Sequence, residues 1–332
     1  MTNSELVSII VPCYNEEKTI GLLLDAIRRQ TYPLSQMEVI LADGKSSDQT
    51  LARVAEFQQS GTGLDVIVIQ NPRRIIPAGL NLAIQAAHGE YIVRLDAHSV
   101  PDENYVERCV ANLKDGKGDN VGGLWLIQPG EPGWIAQSIA LAAGHPLGVG
   151  DARYRYSNVP GEVDTVPFGS FHRDLFDRVG LFDETLAANE DYELNARIRA
   201  INGKIFFDPS IRTKYYSRPT LGALARQYWR YGYWKWRMLK RYPGTLRWRQ
   251  ALPPMLVLGT GLLLILSIWF TEAWVVLLTG IGLYLLLLIG ASVSYARNYK
   301  DWRFLVGIPL SIATMHYSWG SGFLWSIIHS RG

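Results

Sequence analysis

Asp96 and His98 stand two positions apart at the end of the apolar run Glu90 to Asp96 (EYIVRLD), with only Ala97 between them. In extended backbone residues i and i+2 point to one side, so a carboxylate and an imidazole can face one ion together. Carboxylate oxygens suit magnesium or manganese, and the imidazole shifts the preference towards manganese; a nucleotide diphosphate would complete the shell. An Asp-x-His pair is a short motif whose meaning depends on its context. A second acidic group, Asn189, Glu190 and Asp191, precedes a helical pattern at Leu194, Ile198 and Ile201. On spacing alone this is an N-cap followed by first-turn acids, which the helix dipole favours. A third group lies in a basic and aromatic stretch, where Gln227 and Arg230 are three residues apart and share a helix face.

The elements that must position these residues follow from apolar patterning. Leu6 to Pro12, Met37 to Asp43, Asp65 to Gln70 and Glu90 to Asp96 are short runs rich in Val and Ile, separated by stretches with helical spacing such as Ile20, Leu23, Leu24 and Ile27. This alternation predicts an α/β fold, with buried parallel strands joined by crossover helices in a doubly wound sheet. Ligands of such sheets bind beyond the carboxyl ends of the strands. Here those ends carry Tyr14, Asn15 and Glu16, then Asp43 and Lys45, then Asn71, then Asp96 and His98. Asn15 and Asp48 as helix caps and Asp43 as part of a glycine-containing turn are the alternative readings, and spacing leaves them open.

The 332 residues include 33 basic and 30 acidic side chains, for a formal charge of +3, and only two cysteines, Cys13 and Cys109. That length affords a full core without disulfides, excludes a small disulfide-stapled scaffold and offers no cysteine zinc cluster. Met1 to Glu5 show no signal-peptide pattern. Three apolar segments, Leu252 to Phe270, Trp274 to Ala296 and Phe304 to Ile328, each approach the roughly 20 residues that span a bilayer. The third is diluted by Met315, His316, Tyr317, Ser318, Gly320 and Ser321. No acid lies between Asp208 and Glu272, whereas Arg226, Arg230, Lys235, Arg237, Lys240, Arg241, Arg247 and Arg249 precede the first segment. The positive-inside rule makes that flank cytoplasmic and tethers the N-terminal domain at the inner face of the plasma membrane, as a multi-pass protein.

Seven runs together resemble the family 2 glycosyltransferases of the GT-A fold: Val7 to Glu17 (VSIIVPCYNEE), Val39 to Thr50 (VILADGKSSDQT), Ala78 to Asn81 (AGLN), Gly89 to His98 (GEYIVRLDAH), Gly169 to Arg173 (GSFHR), Val179 to Asp183 (VGLFD) and Asn189 to Asp191 (NED). With the apolar C-terminal segments they are most similar to membrane glycosyltransferases of bacterial exopolysaccharide assembly, the succinoglycan type among them. The resemblance implies a Rossmann-like nucleotide-binding domain over 1–218, an interfacial helix region over 219–250 and a transmembrane domain of about three helices over 251–332. It implies that Pro12, Tyr14, Glu16, Asp43, Asn81 and Asp96 bind the nucleotide-sugar, with Glu16 at the ribose and Asp43 reading the base. Asp96 and His98 stand where the family usually carries Asp-x-Asp, so the metal shell has one carboxylate fewer. Asp191 would be the general base that deprotonates the acceptor hydroxyl, which makes an inverting transfer with one carboxylate and one metal site sufficient. A paired-carboxylate hydrolase is disfavoured, because Glu190 and Asp191 are adjacent on a helix and point apart.

Leu221 to Arg241 reads as a helix with Arg226, Arg230, Arg237 and Arg241 on one stripe and Trp229, Tyr231, Trp234 and Trp236 as amphipathic aromatics, suited to an anionic leaflet. Gln227 to Tyr231 (QYWRY) resembles the Gln-x-x-Arg-Trp element of membrane polysaccharide synthases, which implies that Gln227, Arg230 and Tyr231, with Glu190, serve the acceptor and the diphosphate. Aromatics directly before an apolar span make a nucleic-acid role weak. Gly133 to Leu147 is either a second interfacial helix or core. The expectation is a metal-dependent (Mn2+ or Mg2+) hexosyltransferase that moves a sugar from a UDP-sugar to a polyprenyl-linked saccharide or glycan. Its rivals are a processive synthase working as a homo-oligomer, since three spans enclose no wide channel, and a catalytically silent nucleotide-sugar-binding scaffold.

Overall fold

The computed structural model describes residues 5–61, 63–245 and 247–329, so residues 1–4 and 330–332 of the expected domains lie outside the described residues. In chain order the elements are β1 (Val7–Cys13), α1 (Ile20–Arg28), β2 (Met37–Asp43), α2 (Thr50–Gln59), β3 (Asp65–Gln70), α3 (Ile76–Ala86), β4 (Tyr91–Arg94), β5 (Ser99–Pro101), α4 (Tyr105–Lys114), β6 (Asn120–Gln128), α5 (Trp134–Ala143), α6 (Pro146–Val149), β7 (Gly161–Glu162), β8 (Ser170–His172), α7 (Leu175–Val179), α8 (Glu190–Ala200), β9 (Ile205–Tyr216), α9 (Leu221–Arg241), α10 (Leu252–Leu266), α11 (Thr271–Asn298) and α12 (Phe304–His329). They group into two compact units, 1–126 with 153–215, and 127–152 with 216–332.

The first unit is built on a mixed sheet of order β3-β2-β1-β4-β8-β6-β9-β5, with β7 also paired to β9. The four strands expected from the Val/Ile runs are present, and β1–β2, β2–β3 and β1–β4 pair in parallel. Beyond β4 the sheet departs from the doubly wound parallel expectation, because β8 runs antiparallel to β4 and to β6, and β5 and β7 run antiparallel to β9. These added strands are short or carry glycine and charge in place of a continuous apolar run, so they lacked the patterning that marks a buried parallel strand. Neighbours on one strand bury opposite faces. Ile9, Val11, Val39, Leu41 and Val93 pack with Leu23, Leu24 and Val106 on one side, and Ile10, Ile40 and Ile92 pack with Leu80, Ile84, Leu194 and Ile198 on the other. Two covered faces are why β1 and β2 read as unbroken hydrophobic runs. Cys13 and Cys109 are both buried thiols without a disulfide.

The second unit takes in the expected neck, the apolar segments and the stretch that carries α5 and α6. Its core is α12, whose Ile308, Ile312 and Met315 are fully buried against Ile139 and Ala142 of α5, Leu224 and Tyr228 of α9, and Leu288 and Ala296 of α11. Of the two alternatives for Gly133 to Leu147, α5 is therefore core. Close approach explains the small residues: a Cβ on Gly232 of α9 would strike the Trp319 carbonyl, and one on Gly322 of α12 would strike the Trp229 carbonyl. The described residues contain two helices long and apolar enough to cross a membrane, Trp248–Leu266 and Thr271–Asn298. Their apolar residues face outward, with Met255 64%, Leu258 58%, Val275 63% and Leu286 67% exposed. α12, expected as a third span, is not among the two. Its polar residues serve the bundle instead: His316 donates through Nε2 to the Leu147 carbonyl at 2.8 Å and accepts at Nδ1 from the Tyr284 hydroxyl at 2.9 Å.

Candidate active site

The ends of β1 and β2 are stitched into one loop pair. Gly44 N–H donates to the Cys13 carbonyl at 2.8 Å, Asn15 accepts from the Ser47 N–H at 2.9 Å, and the Glu16 N–H donates to Thr50 Oγ1 at 2.7 Å. Asn15 and Lys45 take left-handed φ angles of 53° and 62°, which turn each strand end sharply. Asp43, 2% exposed, accepts from the Ser46 hydroxyl at 2.6 Å and from its N–H at 3.1 Å. Asp48 accepts from the Thr50 hydroxyl at 2.6 Å and N–H at 3.0 Å, and from the Glu17 N–H at 3.1 Å. Tyr14 is 48% exposed beside half-buried Pro12, with the Arg74 guanidinium 5.8 Å over its ring. A flat, open aromatic face and a buried acid at adjacent strand ends suit a planar base and a ribose.

Glu16 joins this loop pair to the end of β4. Its Oε2 accepts from the Thr19 hydroxyl at 2.6 Å, and its Oε1 lies 3.2 Å from His98 Nδ1. His98 in turn lies 6.3 Å, between ring centroids, from Tyr215, which stacks on Trp125 at 4.0 Å. Asn81, expected at the nucleotide-sugar, is bonded inside the fold: its amide donates to the Phe182 carbonyl and to Glu184, each at 2.9 Å, and accepts from the Phe182 N–H at 2.9 Å. The amide thus braces α3 against the 182–184 loop.

The centre of the site is a residue that sequence reasoning passed over. Arg94, the last residue of β4, is 2% exposed, and three carboxylates surround its guanidinium. Nη2 donates to Asp96 Oδ1 at 3.2 Å and to Glu190 Oε1 at 3.1 Å, and Nη1 donates to Asp191 Oδ1. Arg94 and Asp96 meet because they are two apart in extended chain, and Glu190 and Asp191 meet them from the first turn of α8. Asn189 occupies the N-cap position before the first-turn acids, as expected, but with a left-handed φ of 67° and no side-chain capping bond. The signal available in the sequence was a charged residue inside the run EYIVRLD, since a buried charge must be paired.

One cation among three carboxylates leaves the cluster short of positive charge. Burial, together with the neighbouring Glu190 and Asp96 charges, drives the Asp191 carboxyl up to about 8 against the pull of Arg94. Its side chain keeps 28% exposure, enough for a substrate to reach it. Such a group is a base matched to neutral pH. Among the described residues no three His, Cys, Asp or Glu gather as a metal cluster. Asp96 and His98, with side chains 20% and 35% exposed, offer a carboxylate and an imidazole. That donor set fits a divalent ion whose remaining ligands come from a bound diphosphate.

Gln227, Arg230 and Tyr231 belong to the second unit. Gln227 Nε2 donates to the Tyr231 hydroxyl at 2.9 Å one helical turn on, Tyr231 stands edge-on to Tyr228, and Arg230 is exposed.

The profile described as Glycosyl transferase family 2 matches residues 8–180. Over its whole length the chain is 27% identical to the succinoglycan biosynthesis protein ExoA of Rhizobium meliloti, covering 99% of that protein. It is 25% identical, over 73% of its length and 76% of the relative's, to a dolichyl N-acetyl-α-D-glucosaminyl phosphate 3-β-D-2,3-diacetamido-2,3-dideoxy-β-D-glucuronosyltransferase of Methanococcus voltae. Among solved structures, the mannosyltransferase PcManGT of Pyrobaculum calidifontis, in complex with GDP-Man and Mn2+, superposes with a TM-score of 0.68 at 19% identity, covering 98% of this chain and 88% of that one. The S. aureus TarS fragment in complex with UDP-GlcNAc gives a TM-score of 0.51 at 20% identity, covering 68% and 66%. Both show the fold.

Proposed function

Because this chain belongs to glycosyl transferase family 2, we propose that it transfers a sugar, with inversion, from a UDP-sugar to a lipid-linked or growing saccharide at the cytoplasmic face of a membrane. The observation that carries this reading is Asp191: a partly exposed carboxylate, raised to about 8, tied through Arg94 to the Asp96 that follows β4. Asp191 takes the proton from the acceptor hydroxyl as that oxygen attacks the anomeric carbon, and the C–O bond to the nucleotide diphosphate breaks on the opposite face. Pro12 and Tyr14 bound the nucleoside, Glu16 accepts from the ribose hydroxyls, and Asp43 accepts from the uracil N–H. A divalent ion, held by Asp96 and His98, would neutralise charge on the departing diphosphate.

The second unit supports the membrane part of the reading. Apolar side chains as exposed as those of α10 and α11 need an apolar surrounding, and helices satisfy their own backbone in it. The basic stripe of α9 favours the anionic cytoplasmic leaflet, and Gln227, Arg230 and Tyr231 would meet the acceptor's diphosphate there. Exopolysaccharide assembly is the setting suggested by ExoA.

The test is nucleotide release by detergent-solubilised protein from a panel of UDP- and GDP-sugars, with Mn2+, Mg2+ or chelator, and with or without polyprenyl-linked acceptors. Acceptor-stimulated, metal-dependent UDP release that is lost in Asp191→Asn is the expected result. GDP release in its place would overturn the donor assignment. Donor binding without turnover across the panel would favour a binding scaffold, and long products from single encounters a processive synthase.

A further inference from the structure

We propose that Arg94 is a positioning residue: its buried guanidinium holds the base Asp191 and the donor-side Asp96 in one rigid frame, each by a single oxygen, so that the second oxygen of each faces substrate. This rests on the transfer reaction proposed above.

The geometry is that of a fork with two prongs and three acceptors. Nη1 takes Asp191 Oδ1, and Nη2 is shared between Asp96 Oδ1 and Glu190 Oε1. No protein donor, among the described residues, is bonded to Asp191 Oδ2 or Asp96 Oδ2. An inverting displacement needs the base on one side of the sugar and the leaving diphosphate on the other. Asp191 and Asp96 sit on different elements, α8 and the end of β4, and Arg94 is the side chain that bonds both. Glu190, 7% exposed, acts as the third point that stops the guanidinium from rotating. The Phe182 ring, 6.0 Å from Cζ, closes another side. A planar guanidinium can make these bonds at fixed angles, whereas an ammonium is a point charge on a flexible stem that cannot hold both prongs.

The residue therefore acts through Asp191 and Asp96, and substitution separates charge from shape. Arg94→Lys keeps the charge and loses the fork; Arg94→Met loses both. In Arg94→Lys, affinity for UDP in the presence of chelator, measured by calorimetry, is expected within about threefold of wild type, while kcat at saturating donor and acceptor falls about thirtyfold, because the base is misplaced by a fraction of an ångström to an ångström. In the Asp191→Asn background, where no base remains to be positioned, Arg94→Lys is expected to change the residual rate less than threefold. A role in folding alone would lower UDP binding and rate together and would persist in that background. If Arg94→Met fails to fold, the Lys variant alone decides. Wild-type kcat in Arg94→Lys, or an undiminished effect in the double variant, overturns the inference. Absence of turnover in the wild type, with UDP bound, is instead a failure of the transferase reading, and the frame is then tested by the gain in UDP affinity that Mn2+ brings: Arg94→Lys, which frees Asp96, is expected to reduce that gain more than threefold, and an undiminished gain overturns the inference.

Discussion

Two sets of acids lie at neighbouring strand ends, and they are satisfied in opposite ways. Around β1 and β2, Asp43, Asp48 and Glu16 each accept from hydroxyls, and two of them from backbone N–H groups, supplied by Ser46, Thr50, Thr19 and Glu17. Around β4 and α8, Asp96, Glu190 and Asp191 share one guanidinium. Local donors are cheap to arrange, because a turn provides them at short range, and they favour the ionised carboxylate. Although desolvation opposes it, the bonds from Thr50 and Glu17 hold Asp48 below its ordinary value, whereas burial and like charge lift Asp191 to about 8. The bonds of the first set shape a loop. The second keeps one acid poised to take a proton.

The largest effect expected from breaking this contrast is on rate. Asp191→Asn should lower turnover by about a thousandfold, within the range of lost general-base catalysis, while UDP affinity stays within a few-fold. Next comes stability: Arg94→Met leaves three carboxylates around an apolar stem, and breaking a buried ion pair costs about 3–5 kcal/mol, read as a fall in the denaturation midpoint of the detergent-solubilised protein. The pH profile is a sharper test. With Asp191 raised to about 8, kcat/KM should climb nearly tenfold per unit of pH below that value and level off above it; a plateau reaching down to pH 5 would show Asp191 to be an ordinary carboxylate.

Folding stability carries the same contrast with opposite sign. The folded Asp191 binds a proton that the unfolded chain has lost above about 4, so its contribution declines as pH rises from about 4 to about 8. Asp48, lowered from 3.8, contributes above that value and loses its contribution as pH falls through its folded pKa. Thermal unfolding from pH 3 to 8 should therefore show Asp191→Asn flattening the decline on the neutral side and Asp48→Asn removing a loss on the acid side. The Asp48 change is the smallest effect expected, since that carboxylate is solvated.

The strands of the first unit were legible because both their faces are covered, which leaves a continuous Val/Ile signature in β1, β2 and β4. The antiparallel strands were not, because a three-residue strand such as β8 owes its place to long-range pairing with β4 rather than to its own pattern. In the site, Asp96 and Asp191 stood out as acids at strand and helix ends. Arg94 did not, since an arginine two residues before an acid is ordinary until α8, nearly a hundred residues on, brings Glu190 and Asp191 to it. Asn81 shows the converse: its run matches the family's pattern, while the partners of its amide, Phe182 and Glu184, lie a hundred residues away in the chain. The polar residues of α12 looked like dilution of a span; in the structure His316 bonds Leu147 and Tyr284, and Tyr317 bonds Thr260.

The packing of α5 against α12 also sets an order of events. α5 emerges in the middle of the sheet's own sequence, between β6 and β8, yet Ile139 and Ala142 find their partners on α9, α11 and α12. During synthesis the first unit's strands can pair while α5 is still without its neighbours, and its apolar face stays uncovered until the downstream helices arrive. Contacts of such long sequence separation form late and slowly. A chain cut after residue 218 would leave α5 permanently in that unfinished state, so the first 218 residues should prove hard to produce without those that follow.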